Sequence, residues 1–188
     1  MAQFAIDDLA IVILAGGRAT RFPGKLEYPV DGTPLLARVY HQLQHRAPVT
    51  IAGAGSFSTS LDAELDCPMV IDRWPGRGPL GGLLSACMQL TAKHVFAVAG
   101  DAPHVTTSVI DALLAAYNND VEAVVPVHDD HREPLAALYD RQAVLREGLE
   151  VLHEGDASMH ALLARLRTCD VPLQAEYFTN VNTVADLV

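Results

Sequence analysis

Short apolar runs alternate with helix-like patterns along most of the chain, and this alternation limits the fold more than any other feature of the sequence. A continuous apolar run, which is typical of a strand buried on both faces, occupies residues 9–14, and further strands are predicted at 49–52, 69–71 and 95–99. Between them apolar residues recur at helical spacing, most clearly over 80–87. Strands that alternate with helices favour a mostly parallel sheet with helices on both faces. We therefore expect a single Rossmann-like α/β domain of three layers over residues 1–188.

The remaining elements are predicted from local signals. Thr33 and Pro34 indicate the N-cap and the first position of an early helix, and a later helix is expected to begin near Thr106. The chain after that helix is predicted to hold a strand, a solvated turn and a segment that pairs back or crosses over, at 121–127, 128–131 and 135–139. Two last helices are expected to bury Leu145, Leu149 and Leu152, and Leu162, Leu163 and Leu166.

The composition is that of an acidic globular protein. Of the 188 residues, 50% are hydrophobic and 19% are charged, which excludes a disordered chain. The formal net charge of −10 argues against binding to nucleic acid or to an anionic membrane through bulk charge. No run of about 18 apolar residues and no basic leader region is present. The isolated cysteines Cys67, Cys87 and Cys169 favour three buried, reduced thiols and a cytoplasmic location.

The loop after the first predicted strand, from Leu14 and Ala15 to Lys25, has the composition of a polyphosphate-binding turn. Gly16 and Gly17 allow backbone N–H groups to approach phosphate oxygens closely. Positive charge in this otherwise acidic chain comes from Arg18, Arg21 and Lys25. The spacing fits neither the Walker loop nor the dinucleotide-binding fingerprint, so a different kind of phosphate site is expected.

Two carboxylates follow later strands, where ligands of parallel sheets bind. Asp72 precedes a glycine-rich stretch against which a nucleotide base or ribose could lie, although a plain turn explains the same residues. Asp101 follows a buried strand and suits Mg²⁺, which prefers one or two carboxylates together with substrate phosphates. It stands five residues before Thr106, which is far for a helix cap.

Five motifs together resemble the nucleotidyltransferase superfamily, and within it the molybdenum cofactor guanylyltransferase family. The signature loop is matched by 14–17 with Lys25, and the G-P-L-A-G helix start by 78–83. The motifs C-D-x-P, P-L-x-A-L-Y and N-[IV]-N-T-P-E-D-L are matched by 100–103, 134–139 and 180–187. The chain departs from this pattern in its shorter Arg21–Lys25 segment, in Val184, and in lacking an asparagine after the second strand. The short segment also occurs in related cytidylyltransferases, which are the second candidate.

This resemblance implies transfer of GMP from GTP to the terminal phosphate of molybdopterin, or of its molybdenum-bearing form, with release of pyrophosphate. It implies Mg²⁺ as cofactor, held by Asp101. It further implies catalysis by Lys25, Arg21 and Asp101, and GTP binding by Leu14, Ala15, Gly16, Gly17, Arg18, Lys25, Asp72 and Asp101. Asn180 and Asn182 would bind the acceptor. Residues 8–105 are expected to form the nucleotide-binding part and 106–188 the acceptor-binding part. A monomer or weak homo-oligomer is expected, with transient contacts to other proteins of cofactor biosynthesis.

Overall fold

The computed structural model of the chain describes residues 8–16, 24–53 and 57–179. Five residues that the sequence assigns to the site, Gly17, Arg18, Arg21, Asn180 and Asn182, lie outside these ranges, and their roles remain predictions.

The described ranges contain ten strands and six α-helices, which follow the alternation predicted from the sequence. The strands are β1 Leu9–Leu14, β2 Pro29–Val30, β3 Thr33–Pro34, β4 Val49–Gly53, β5 Met69–Ile71, β6 His94–Ala99, β7 Ala123–His128, β8 His131–Arg132, β9 Ala136–Asp140 and β10 Thr168–Pro172. The helices are α1 Leu35–Leu43, α2 Thr59–Asp62, α3 Gly78–Cys87, α4 Thr107–Ala116, α5 Arg141–His153 and α6 Met159–Leu163. Two short 3₁₀ turns cover Lys25–Glu27 and Ala175–Phe178.

The main sheet has the strand order β10-β7-β9-β6-β1-β4-β5, with β8 paired to β7. Strand β1 lies at its centre and pairs in parallel with β4 and β6, so that Ile13 lies beside Ile51 and Val98. Strand β9 pairs antiparallel with both β6 and β7, which confirms that segment 135–139 pairs back. Because β1, β4, β5, β6 and β7 all run in one direction, their carboxyl ends meet at one edge of the sheet.

The sheet separates two apolar cores, and this arrangement confirms the three-layer fold. On one face Ile11 and Ile13 pack with α1 and α4, through side chains such as Leu36 and Ile110. On the other face Val12 and Leu14 pack with α3, α5 and α6. All six residues of β1 are buried, because a central strand that is covered by helices on both sides has no exposed face.

The predicted start of the first helix is wrong by one residue. Thr33 and Pro34 form β3, which pairs antiparallel with Pro29–Val30, and Pro34 is the N-cap of α1. Asp31 and Gly32 connect the two strands with φ values of 50° and 81°, the left-handed conformation of a tight hairpin turn. The Asp-Gly pair was the sequence signal for this hairpin.

The apolar faces of the last helices also differ from the prediction. Helix α5 buries Val144, Gly148, Val151 and Leu152, whereas Leu149 is exposed and Leu145 only half-buried. Leu166 is buried but lies beyond the end of α6.

The cysteines are less uniformly buried than expected. Only Cys87 is buried, and Cys67 and Cys169 are partly exposed, although all three are free thiols. No helix in the described part of the chain is long and apolar enough to cross a membrane.

Candidate active site

An open cleft of about 280 Å³ lies at the carboxyl ends of β1 and β6. The sequence-predicted residues that line it are Leu14, Ala15, Gly16, Lys25 and Asp101. The structure thus brings together two loops that are far apart in the chain. The cleft is closed by residues that the site prediction left out: Leu26, Pro79, Ala99, Gly100 and Leu135. Three of them, Pro79, Gly100 and Leu135, stand in the motifs G-P-L-A-G, C-D-x-P and P-L-x-A-L-Y, so a signal for them was present.

Among the described residues that line the cleft, the charged ones are a paired lysine and aspartate. The Lys25 ammonium donates to Oδ2 of Asp101, and the exposed fractions of the two side chains are 10% and 27%. Lys25 reaches this position because the 3₁₀ turn Lys25–Glu27 follows Gly24, whose φ is 75°. A nearly buried ammonium needs a charge partner, and Asp101 supplies it without filling the cleft.

The ends of β1 and β6 are joined directly by the backbone. The N–H of Gly100 donates to the carbonyl of Leu14 at 3.0 Å, which fixes Asp101 beside the loop that follows β1. On the other side of β1, Gly53 lies against this same loop. A Cβ at Gly53 would lie 3.2 Å from the Ala15 carbonyl carbon, so any other residue would push the two backbones apart by a few tenths of an ångström. The loop after β1 is therefore held from both neighbouring strands.

Asp72 lies at the same sheet edge but does not line the cleft. Its backbone N–H donates to the carbonyl of Gly53 at 3.1 Å, which places it beyond β4 from the cleft. Its carboxylate oxygen Oδ1 accepts from the N–H of Trp74 at 2.8 Å. The local turn that the sequence left open is therefore present, and the nucleoside contact of Asp72 stays a prediction.

The cleft suits Mg²⁺ in its donor chemistry. Asp101 offers a partly exposed carboxylate next to the loop that follows β1, and Mg²⁺ commonly takes one or two carboxylates, with waters and phosphates completing its shell. Among residues 8–16, 24–53 and 57–179, no group of three or more His, Cys, Asp and Glu side chains could hold a metal by itself. A site completed by substrate phosphates fits this arrangement better than a metal cage.

The sequence predicts a solvated turn at 128–131, and three of its four residues are exposed, His128 being the exception. Asp129 and Asp130 are exposed, with positive φ values of 45° and 62°, and they connect β7 to β8. His128 is partly buried; its Nε2 lies 2.8 Å from Glu133, and its ring stacks on Phe178 at a centroid distance of 5.3 Å.

A mixed, mostly parallel sheet with a glycine turn, a lysine and a carboxylate at the ends of its central strands is the framework of a nucleotidyltransferase. The chain belongs to the family described as MobA-like NTP transferase domain, which matches residues 11–172. This finding confirms the resemblance seen in the motifs.

Relatives of known name cover nearly the whole chain. The molybdenum cofactor guanylyltransferase of Burkholderia lata is 31% identical, and the alignment covers 100% of this chain and 97% of that protein. A probable molybdenum cofactor guanylyltransferase of Bacillus thuringiensis is 27% identical, with 94% and 92% covered. The crystal structure of molybdopterin-guanine dinucleotide biosynthesis protein A from Archaeoglobus fulgidus has a TM-score of 0.77 at 22% identity, covering 95% and 94%. The last comparison shows that the fold is shared.

Proposed function

We propose that the chain transfers GMP from GTP to the terminal phosphate of molybdopterin or its molybdenum-bearing form, and releases pyrophosphate. The observation that carries this proposal is the pair of Lys25 and Asp101 in a cleft at the carboxyl sheet edge of a MobA-like NTP transferase. The names of the relatives from Burkholderia lata and Bacillus thuringiensis support the choice of substrates.

To catalyse this reaction, the protein has to neutralise the charge of the phosphates and to align the acceptor phosphate with the α-phosphorus of GTP. Lys25 and the backbone N–H of Gly16 would bind phosphate oxygens of GTP, helped by Arg18 and Arg21. An oxygen of the acceptor phosphate forms a bond to the α-phosphorus while the bond from that phosphorus to pyrophosphate breaks. The acceptor oxygen is already anionic, so the chain does not have to remove a proton.

Asp101 has two parts in this proposal. It holds the Lys25 ammonium at the cleft, and it would hold Mg²⁺, which neutralises phosphate charge when bound. If Asp101 bound Mg²⁺ instead of the Lys25 ammonium, that ammonium would become available to the phosphates of GTP.

The sheet order supports the predicted division into two parts. One half of the strand order consists of β6, β1, β4 and β5. These strands carry the loop after β1, Asp72 and Asp101. Strands β7, β9 and β10 lie on the other side, within residues 106–188, where we place the acceptor with Asn180 and Asn182. The three free thiols agree with a reducing cytoplasm as the location.

The test is pyrophosphate release from GTP and, separately, from CTP, each with and without molybdopterin and with and without Mg²⁺. We expect release that needs acceptor and Mg²⁺ and is faster with GTP. Faster release with CTP would instead support the cytidylyltransferase, which the short Arg21–Lys25 segment also favours. Nucleotide binding without release under any of these conditions would indicate a non-catalytic binding protein.

A further inference from the structure

A second cavity opens at the same sheet edge as the cleft, on the side of β7. Its volume of about 330 Å³ lies within the range of about 300–1,000 Å³ that is typical of small-molecule sites. The turn between β7 and β8 and the helix α6 line it, through Asp130, His131, Arg132, His160, Leu163 and Ala164. All six residues belong to the part of the chain in which we place the acceptor, and the proposed mechanism uses none of them.

The second cavity and the cleft are neighbours through two segments of the chain. Leu135 lines the cleft and follows Arg132, which lines the cavity, by three residues, so this segment spans at most about 10 Å. Pro79 also lines the cleft, and the preceding Gly78 lies close to the connection that leads into α6. A Cβ at Gly78 would be 3.6 Å from the carbonyl oxygen of Ala157. One elongated ligand can therefore extend from the cleft into the cavity.

The guanidinium of Arg132 is held in place with part of its donors unused. Its Nε and Nη2 donate to the Asp170 carboxylate at 3.1 and 2.9 Å, and Nη2 also donates to the Thr168 hydroxyl at 3.1 Å. Within residues 8–16, 24–53 and 57–179, no acceptor is found for Nη1. Because the planar guanidinium is fixed by its other nitrogens, Arg132 offers a positioned N–H donor to a ligand in the cavity.

Asp130 offers acceptors at the same cavity. In the described part of the chain its carboxylate makes neither a hydrogen bond nor an ion pair, whereas the carboxylate of the neighbouring Asp129 lies 3.6 Å from Nδ1 of His128. A carboxylate with both oxygens available can accept two adjacent N–H groups side by side. The cavity therefore combines one fixed donor with a pair of acceptors.

The cavity does not suit a phosphate. The charge of Arg132 is already neutralised by Asp170, and Asp130 adds a further negative charge. Part of the lining is apolar, through Leu163, which belongs to the core on that face, and Ala164. A flat, uncharged ring can pack on these two side chains while its polar edge meets Asp130 and Arg132.

One kind of polar edge matches this arrangement: a ring carbonyl, a ring N–H and an amino group in a row. Arg132 would donate to the carbonyl, and Asp130 would accept from the other two groups. Pterins carry this edge, and so does guanine. The position of the cavity favours the pterin, because the cavity lies beside β7 and α6, whereas the strands assigned to the nucleotide form the other half of the strand order.

We propose that the second cavity binds the pterin of the acceptor, with Asp130 and Arg132 recognising its amino and carbonyl edge, while the acceptor phosphate lies in the cleft. The inference deepens the proposed function and rests on it in one respect, that the acceptor is molybdopterin or its molybdenum-bearing form. It assigns selection of the pterin to side chains that take no part in the transfer of the phosphate.

Binding of 6-hydroxymethylpterin to the full chain, followed by the fluorescence of the pterin, tests this assignment. The comparison ligand is 6-hydroxymethyllumazine, in which an oxo group replaces the amino group beside the ring N–H. The carboxylate of Asp130 would face an acceptor there, so we expect the wild type to bind the lumazine about tenfold or more weakly. In Asp130→Asn the amide can donate to that oxo group and accept from the ring N–H, so the preference for the pterin should disappear or reverse.

Asp129→Asn is the matched control. Asp129 and Asp130 are both exposed and both have a positive φ, which asparagine tolerates, but Asp129 is not among the described residues that line the cavity. This variant should keep the preference and affinity of the wild type within about twofold. In the transfer assay Asp130→Asn should raise KM for molybdopterin by about tenfold and leave GTP affinity within about twofold, and Asp129→Asn should change neither. Circular dichroism of each variant establishes that the fold is retained.

The possible failures can be told apart. If GTP and molybdopterin give pyrophosphate, then equal binding of the two rings, binding of neither, or an unchanged preference in Asp130→Asn would overturn the inference alone. A loss of GTP affinity in Asp130→Asn with no effect on the pterin would identify guanine as the occupant, which also overturns it. Binding of the pterin that depends on Asp130, without pyrophosphate release, would overturn the proposed function alone. Failure of both pterin binding and pyrophosphate release would overturn both.

Discussion

The ammonium of Lys25 contacts the carboxylate of Asp101 across the cleft, although 76 positions separate the two residues in the chain. The contact joins the loop after β1 to the end of β6 and places the positive charge of the cleft where phosphates would bind. An ion pair this little exposed depends on both partners, since either charge alone would be costly to desolvate.

Lys25→Ala should reduce kcat/KM for GTP by about 100-fold or more, because it removes a point charge from the phosphate-binding cleft. Lys93→Ala is the matched control: Lys93 is exposed, at the amino end of β6 and thus at the opposite edge of the sheet. We expect that variant to stay within about twofold of the wild type. Steady-state kinetics of pyrophosphate release measures both, and equal losses in the two variants would contradict the phosphate-binding role.

Asp101→Asn should lower turnover by about 100-fold or more and raise the concentration of Mg²⁺ needed for half-maximal rate. The amide keeps the shape of the side chain and an accepting oxygen for Lys25, so we expect a cooperative unfolding transition as in the wild type. A titration of Mg²⁺ at saturating GTP measures the effect. Normal turnover at unchanged Mg²⁺ demand would overturn the assignment of Asp101 as metal ligand.

Gly81→Ala should change the free energy of GTP binding more than the free energy of unfolding. Its Cβ would lie 3.0 Å from Oδ1 of Asp72 and from the carbonyl oxygen of Trp74, so the carboxylate must move. Crowding lowers the free energy of unfolding, but alanine has a better helix propensity than glycine by about 1 kcal/mol, which offsets part of that loss.

Gly148→Ala is the matched control for crowding. Its Cβ would lie 3.0 Å from a methyl group of Leu84 in the core, away from Asp72. In that variant too the helix propensity of alanine offsets about 1 kcal/mol of a crowding cost of about 1–3 kcal/mol, and the affinity for GTP should stay unchanged. Calorimetric binding and urea unfolding measure both quantities, and a Gly81→Ala variant with wild-type affinity would show that the Asp72 carboxylate tolerates displacement.

Glu122 should make stability depend on pH in the acidic range. Burial acts to raise the pKa of this carboxyl, but hydrogen bonds from the Arg167 backbone and the Arg146 guanidinium outweigh it and hold the pKa below the ordinary 4.5. Because the folded pKa is the lower one, the stabilisation is complete above the unfolded value and is lost as the pH falls through the folded value.

Glu122→Gln should therefore cost about 1–3 kcal/mol at pH 7, since it weakens hydrogen bonds to a charged group. The difference from the wild type should shrink as the pH falls below 4.5, which urea unfolding at a series of pH values measures. The exposed Glu64→Gln is the control and should be nearly neutral at every pH. A cost for Glu122→Gln that does not change with pH would contradict a charge-based role.

Asn182→Asp should slow transfer to molybdopterin by about tenfold while GTP affinity stays the same, because it places a negative charge near an anionic acceptor. This expectation comes from the sequence, since Asn180 and Asn182 lie outside the described residues. Asn119→Asp adds the same charge at an exposed position after α4 and should leave transfer unchanged. A parallel fall in GTP affinity in Asn182→Asp would argue against an acceptor role.

Local patterns determined most of the elements and the edge at which ligands bind. The six-residue run Leu9–Leu14 is a central strand, as its unbroken apolar character predicts, because only a strand covered on both faces tolerates six consecutive apolar residues. The loops that carry Lys25 and Asp101 were placed at the same edge for a topological reason, since parallel strands bring their carboxyl ends together.

The face of α5 and the exact pairing within the site were decided only by tertiary packing. Gly148 faces the core because the absence of a Cβ lets Leu84 of α3 approach closely. The spacing of large apolar residues does not predict this, since glycine has no apolar side chain to count. Strand β10 is not predicted from the sequence, because the alternation of Cys169 and Val171 with polar residues is too short to stand out, and the strand forms by pairing in parallel with β7.

The same distinction holds for the carboxylates of the site. The sequence indicated Asp72 and Asp101 as candidate ligand-binding groups, because both follow apolar strands. That Asp101 is paired with Lys25, and that Asp72 has one oxygen turned into α3, depends on contacts with Lys25, Trp74 and Ser85. Such contacts follow from how helices and loops pack on the sheet, and no spacing along the chain encodes which oxygen of a carboxylate stays open to a ligand.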